Sequence, residues 1–264
     1  MLTTIMNLKS FYTFLSYGLI GIILARLISF IFPLHILSLE IYHTHAGIVV
    51  LAFLSIYVVF VYNKYAWVIP LVIGFVFDGF IFLIIKADYS YWSMLSIFGA
   101  FSFILFFSVL ASYNLQSKNI LDTSKNKNSI LFFIISSIFT ITIYRGLNYT
   151  LLFFDVPNEE RSTFIMGYEI RHICYGILVC AFISILKWVR VRYKGMYAIE
   201  SSILGFGIAS IADQFIYSML PVASDDAYFS MTSLVGGIVV TLIYLAFAIY
   251  FATIQHENGC IPKK

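Results

Sequence analysis

Long apolar runs, broken by short polar connectors, recur along the whole chain. A helix that crosses the hydrocarbon core of a bilayer needs about 20 mostly apolar residues. By that measure the pattern predicts about eight spans: Phe11–Pro33, Glu40–Tyr62, Ala66–Ile85, Tyr91–Asn114, Ser129–Phe154, Tyr168–Val189, Ile199–Leu220 and Phe229–Phe251. One connector is clearly polar: Gln116–Asn128, rich in Ser, Asn and Lys. It divides the chain into a first four-span unit (1–115), a linker (116–128) and a second four-span unit (129–264). The expected fold class is all-α, a polytopic membrane protein.

The two units echo one another. Glu40-Ile-Tyr-His-Thr-His-Ala-Gly-Ile48 aligns with Glu169-Ile-Arg-His-Ile-Cys-Tyr-Gly-Ile177, five identities in nine. Asp78-Gly-Phe-Ile81 aligns with Asp213-Gln-Phe-Ile216, and Arg26 has Arg145 at the matching place. Ser90-Tyr-Trp-Ser-Met-Leu-Ser-Ile-Phe-Gly99 aligns with Ala227-Tyr-Phe-Ser-Met-Thr-Ser-Leu-Val-Gly236, five identities in ten. The matches keep their order, and the second unit carries an insertion near Asp155–Phe164. Four spans per unit is an even number, so both units would share one orientation. A duplication of this kind relates the halves by a pseudo-two-fold along the membrane normal.

Composition agrees. Of the 264 residues, 61% are hydrophobic and 11% charged, and the mean hydropathy is +0.94. A soluble domain carries about 25% charged residues, so a soluble core is excluded. The net charge of +3 is too small and dispersed for a nucleic-acid partner. Cys174, Cys180 and Cys260 form no CxxC, so neither a disulfide framework nor a thiolate metal site is expected. The N-terminal apolar run lacks a small-residue cleavage signal and reads as a first span. Lys9, Lys64, Lys118, Lys125, Lys127, Lys187, Arg190, Arg192, Lys194, Lys263 and Lys264 fall on one set of loops and tails. The opposite loops hold Lys86 and Arg161 but most of the acids: Asp88, Asp155, Glu159, Glu160, Asp225 and Asp226. Basic loops stay in the cytoplasm, which places both termini inside a plasma or inner membrane.

Ionisable residues within spans are costly and mark protein interiors, cavities or sites. Here Arg26, Glu40, His43, His45, Asp78, Arg145, Glu169, Arg171, His172 and Asp213 lie toward the outer ends of their spans, within roughly 5–15 Å of the outer surface. Tyr91 and Tyr228 begin spans four and eight at that face. The layer supports several chemistries. Read as helical, Glu40-x-x-His43 and Glu169-x-x-His172 put carboxylate and imidazole on one face. With Asp78 and Asp213 they match the ligand inventory of di-iron carboxylate bundles. Glu40, His43, Asp78, Glu169, His172 and Asp213 are therefore candidate ligands for iron, manganese or zinc. His43, His172, Asp78 and Asp213 are also candidate acids and bases. Arg26, Arg145, Tyr91 and Tyr228 are candidate substrate-binding groups, the arginines toward phosphate. Alternatively Arg26 and Arg145 neutralise Asp78 and Asp213, leaving buried ion pairs and no ligand set.

His43-Thr-His45-Ala-Gly47, Asp78-Gly-Phe80 and Asp88-Tyr-Ser-Tyr-Trp92 resemble the motifs of a loosely defined group of uncharacterised prokaryotic integral membrane proteins. In that group His-x-His followed by Gly opens one span, Asp-Glu-Phe ends the next, and an Asp-x-Tyr-aromatic run follows. The resemblance covers mainly spans two to four and implies a membrane location, since the group has no assigned activity. It breaks where Gly79 and Gln214 follow the aspartates in place of an acid. The functional expectation is an outward-facing intramembrane polar site, metal-assisted or metal-free, that binds or acts on a lipid or small molecule in the outer leaflet. The alternatives are a transporter or proton-coupled carrier, recognisable by Gly- or Pro-broken spans near Pro70/Gly74 and Gly205/Gly207, or a structural protein that uses the layer as ion pairs.

Overall fold

The computed structural model describes residues 5–31, 34–36, 39–41, 43–60, 67–84, 94–114, 129–154, 163–165, 168–188, 196–219 and 225–258. Its long elements are helices: α1 (Leu8–Ile31), α2 (His43–Phe60), α3 (Val68–Ile84), α4 (Met94–Ser112), α5 (Ser129–Phe153), α6 (His172–Trp188), α7 (Met196–Phe215) and α8 (Met231–Asn258). A short 3-10 turn (Tyr217–Met219) follows α7, and one helical turn (Asp225–Tyr228) precedes α8. Three of the helices contain stretches long and apolar enough to cross a membrane: Leu8–Ser29, Ser129–Leu151 and Met231–Phe251. Shorter apolar stretches lie in α2, α3, α4 and α6.

Short strands decorate the helix ends. Ile5–Met6 (β1) pairs with Tyr113–Asn114 (β4). Leu34–Ile36 (β2) pairs with Leu39–Ile41 (β3), with His35 opposite Glu40. Thr163–Ile165 (β5) pairs with Tyr168–Ile170 (β6), with Phe164 opposite Glu169. These hairpins correct the expected starts of spans two and six, Glu40 and Tyr168: α2 and α6 begin at His43 and His172. The reason is local. Leu34-His-Ile36 and Leu39-Glu-Ile41 alternate apolar and polar positions, the period of a strand, and each finds its partner a few residues away. The ladder then pairs backbone groups just before each helix begins.

Burial sorts the helices into two layers. α2, α3, α6 and α7 supply most of the core: Ile48, Leu51, Ile56, Ile73 and Phe77 from one half, Ile177, Cys180, Leu204, Ile208 and Ile211 from the other. α1, α4, α5 and α8 lie outside and expose large apolar side chains, such as Ile23, Phe98, Phe106, Phe139, Leu147 and Leu242. A protein in water rarely exposes contiguous apolar patches beyond a few hundred Å². Here such residues run along α1, α5 and α8, the three helices with stretches long and apolar enough to cross a membrane.

Contacts recur between the halves. Arg26 on α1 bonds Asp78 on α3, and Arg145 on α5 bonds Asp213 on α7. Gly47 packs on α3 against Phe75 and Val76, and Gly176 packs on α7 against Gly207 and Ile211. α1 and α3 approach so closely that a Cβ at Gly74 would lie 2.0 Å from the Gly18 carbonyl oxygen, and one at Gly21 would lie 2.1 Å from that of Leu71. Small residues at a helix crossing allow this approach where lipid offers no hydrophobic drive. Gly74 therefore closes a helix pair. α3 and α7 run unbroken through Gly74, Gly205 and Gly207, so the interrupted helices expected of a transporter are not found among the described residues. Across the halves, α2 packs on α6, and each also touches the partner half: α2 meets α7 and α8, α6 meets α3 and α4. At the α2–α6 crossing the Ser55 and Ser184 hydroxyls lie 3.0 Å apart.

Candidate functional site

The candidate residues Arg26, Asp78, Arg145, His172 and Asp213 collect at one end of the bundle, where α1, α3, α5 and α7 finish and α2 and α6 begin, while Lys187 and the buried Glu200 pair at the other end. Arg26 and Asp78 stand five and six residues before the ends of α1 and α3. Arg145 stands eight residues before the end of α5, and Asp213 two before the end of α7. His172 is the first residue of α6. The cluster is best defined in the second half.

Asp213 is its centre and is buried. Its Oδ1 accepts from Arg145 Nε at 2.6 Å. Its Oδ2 accepts from the Tyr228 hydroxyl at 2.7 Å and lies 3.5 Å from His172 Nδ1. Arg145 also donates through Nη1 to the Tyr228 carbonyl at 2.6 Å, and through Nη2 to the Asp213 carbonyl at 2.8 Å and Ser233 Oγ at 3.2 Å. A guanidinium has five N–H donors, and these bonds engage four of them. The guanidinium carbon also sits 4.0 Å from the centre of the Tyr228 ring. Arg145 thus ties α5 to α7 and to the start of α8, and little of it remains for a phosphate.

His172 is held from two sides. Nδ1 faces Asp213, and the ring stacks on Tyr144 with centroids 3.7 Å apart and planes at 10°. The Tyr144 hydroxyl lies 3.3 Å from Ser210 Oγ on α7. Sequence reasoning named neither Tyr144 nor Ser233. Ser233 was legible as one of the identities with the first half (Ser96), whereas Tyr144 has Ala25 at the matching place and belongs to no motif. Arg171 lies with its guanidinium carbon 5.3 Å from the centre of the Tyr217 ring, and Tyr217 meets the Tyr228 ring edge-on at 5.5 Å. His45 is buried, with Nε2 3.0 Å from Ser218 Oγ.

In the first half Arg26 Nε bonds Asp78 Oδ1 at 2.8 Å, and the aspartate side chain is wholly buried. Tyr91 lies outside the described residues, as do the linker 116–128 and most of the loop charges used to orient the chain. The backbones of Glu40, His43 and Glu169 are described, but the placement of their side chains is not. One expectation is corrected: Glu40 and Glu169 sit on strands β3 and β6, so neither shares a helical face with the histidine three residues on. An extended chain climbs about 3.3 Å per residue, against 1.5 Å in a helix, which breaks the i, i+3 geometry.

Of the three candidate metal ligands whose side chains are described, Asp78, His172 and Asp213, the structure brings two together, His172 and Asp213. Among the described residues no group of three or more His, Cys, Asp or Glu could hold an ion. Both carboxylate oxygens of Asp213 already accept hydrogen bonds, one from Arg145 and one from Tyr228.

The residues after the two aspartates differ in a matched way. Gln214 Oε1 accepts from the Ile173 amide at 3.2 Å, satisfying an otherwise orphaned donor in the first turn of α6. At the equivalent places of the first half stand Gly79 and Thr44, and a Cβ on Gly79 would lie 1.7 Å from Thr44 Oγ1. A large polar side chain facing Ile173 is thus replaced by a glycine facing a threonine.

No family model, curated protein or solved structure matches the chain. Fold and site together define an all-helical protein with an apolar outer layer and a buried Arg–Asp pair in each half.

Proposed function

We propose that the chain is an eight-span protein of a plasma or inner membrane, built from two parallel four-helix repeats, and that the second repeat holds a site for a lipid or small molecule near the outer face. The repeat reading is supported by paired contacts at equivalent positions, by matching hairpins before α2 and α6, and by the meeting of Ser55 with its own equivalent, Ser184. The distribution of basic residues supports cytoplasmic termini. The resemblance to uncharacterised prokaryotic membrane proteins is consistent with that location.

One observation carries the site. Arg145, Asp213 and Tyr228 are closed on one another, yet His172 beside them keeps 22% of its side-chain surface exposed. A saturated polar cluster that presents one open imidazole is organised to offer it. The structural reading is favoured by a specific observation too: Arg145 is held almost entirely by the protein. In that reading both Arg–Asp pairs are helix locks and nothing is bound. Analysis of molecules that co-purify with the wild-type chain and with His172→Ala in detergent separates the two. A binding site predicts a species enriched in the wild type and lost from a variant of unchanged Tm. No enriched species in either sample, with a lower Tm in the variant, would leave only the structural role.

A further inference from the structure

The open nitrogen of His172 has a defined chemical sense. Asp213 Oδ2 is a carboxylate oxygen that already accepts from Tyr228, so the group facing it on His172 must be a donor. Nδ1 therefore carries the hydrogen, and in the neutral imidazole Nε2 is left with a lone pair. Among the described residues Nε2 has no hydrogen-bond partner. It is also not among the buried atoms left unsatisfied, where Ser201 Oγ stands alone. Nε2 therefore reaches the protein surface, as an acceptor.

That surface belongs to α5 as well as α6. Tyr144, which supports the imidazole, is on α5, one of the helices long and apolar enough to cross a membrane. Phe139, Ile143 and Leu147, all exposed, follow one another along α5 at the i, i+4 spacing of a single helical face, and Leu147, three residues on from Tyr144, is its neighbour on the helix surface. A Cβ at Gly146 would meet nothing within 4 Å. An acyl chain has room there, one turn from the stacked Tyr144.

We infer that the site takes a neutral amphiphile bearing a hydroxyl group, which donates its hydrogen to His172 Nε2 while its apolar chain lies along α5. This rests on the reading of the second repeat as a ligand site and adds the ligand's class. An anionic phosphate headgroup is disfavoured, because Arg145 is engaged by Asp213, Tyr228 and Ser233 and Arg171 lies over the Tyr217 ring.

The wild-type chain tests this without a variant. Diethyl pyrocarbonate modifies accessible imidazole nitrogens, and peptide mapping reports His172 separately from the other histidines. In dioleoylphosphatidylcholine nanodiscs, His172 should react. Dioleoylglycerol should slow that reaction by the factor 1 + [L]/Kd, about tenfold when it is present at about nine times Kd. Dioleoylphosphatidic acid, which carries phosphate in place of the hydroxyl, should give little protection. His172→Ala should lose dioleoylglycerol retention in native mass spectrometry. Equal or stronger protection by phosphatidic acid overturns the hydroxyl assignment and leaves the ligand site standing. Reactive His172 protected by neither lipid also overturns the assignment. An unreactive His172 overturns both, since the nitrogen would then be closed.

Discussion

The two Arg–Asp pairs occupy equivalent places but have different neighbours. In the first half the residue before Arg26 is Ala25, too small to stack on an imidazole, and the residue three before Asp78 is Phe75. In the second half those places hold Tyr144 and Ser210, which meet each other and bring Tyr144 under His172. The ion pair is the shared part and reads as architecture. The tyrosine and serine that support His172 are the divergent part, and divergence between equivalent sites is where one would look for a ligand.

The comparison can be broken at several levels. The largest effect should come from removing one partner of a pair. Asp213→Ala or Asp78→Ala leaves a half-buried guanidinium without its carboxylate and should cost about 3 kcal/mol, the low end for breaking a buried pair, read as a fall in the detergent unfolding midpoint. Similar losses from both would establish that the halves share this lock. A loss confined to Asp213 would make the first pair dispensable. Next is the α1–α3 crossing. Gly74→Ala places a methyl against the Gly18 backbone and should cost about 1–3 kcal/mol, whereas the equivalent place in α7 is already Ala209. Tolerance of Gly74→Ala would contradict the close approach of α1 and α3. Tyr228→Phe removes a hydrogen bond to a charged carboxylate and should cost about 1.5–3 kcal/mol. Arg145 still covers the aspartate in that variant, so the lower end is expected. The smallest effect belongs to the centre: Ser55→Ala or Ser184→Ala should each cost about 0.6 kcal/mol, the average for polar contacts between membrane helices. A double variant no worse than either single one would show that the two hydroxyls act as one contact.

Much of this was legible in the sequence. Hydropathy placed every long helix, because a lipid-facing or core helix cannot hide twenty apolar residues. Arg26–Asp78 and Arg145–Asp213 were legible as pairs, since isolated charges in spans need partners. The hairpins were missed. A three-residue strand such as Leu39-Glu-Ile41 is too short to interrupt an apolar window, though its alternation is visible once sought. That omission produced the reading of Glu-x-x-His as one helical face. Tyr144 was missed because nothing in a Tyr-Arg dipeptide reveals that a histidine twenty-eight residues later will lie flat against it. Gly18, Gly21 and Gly74 were not paired with one another because the contact is between helices, and glycine spacing on one helix does not say which neighbour it admits.

The Ser55–Ser184 contact has a further consequence. On the two-repeat reading, only a residue on the symmetry line can touch its own equivalent, so this contact marks where that line runs. Points on a line of rotation do not travel when the two halves turn about it, while points far from it travel most. A small turn of one half against the other would leave the two serines together and slide α8 across α2 and α4 across α6. The serine pair would then act as a pivot, and the outer helices would register the movement.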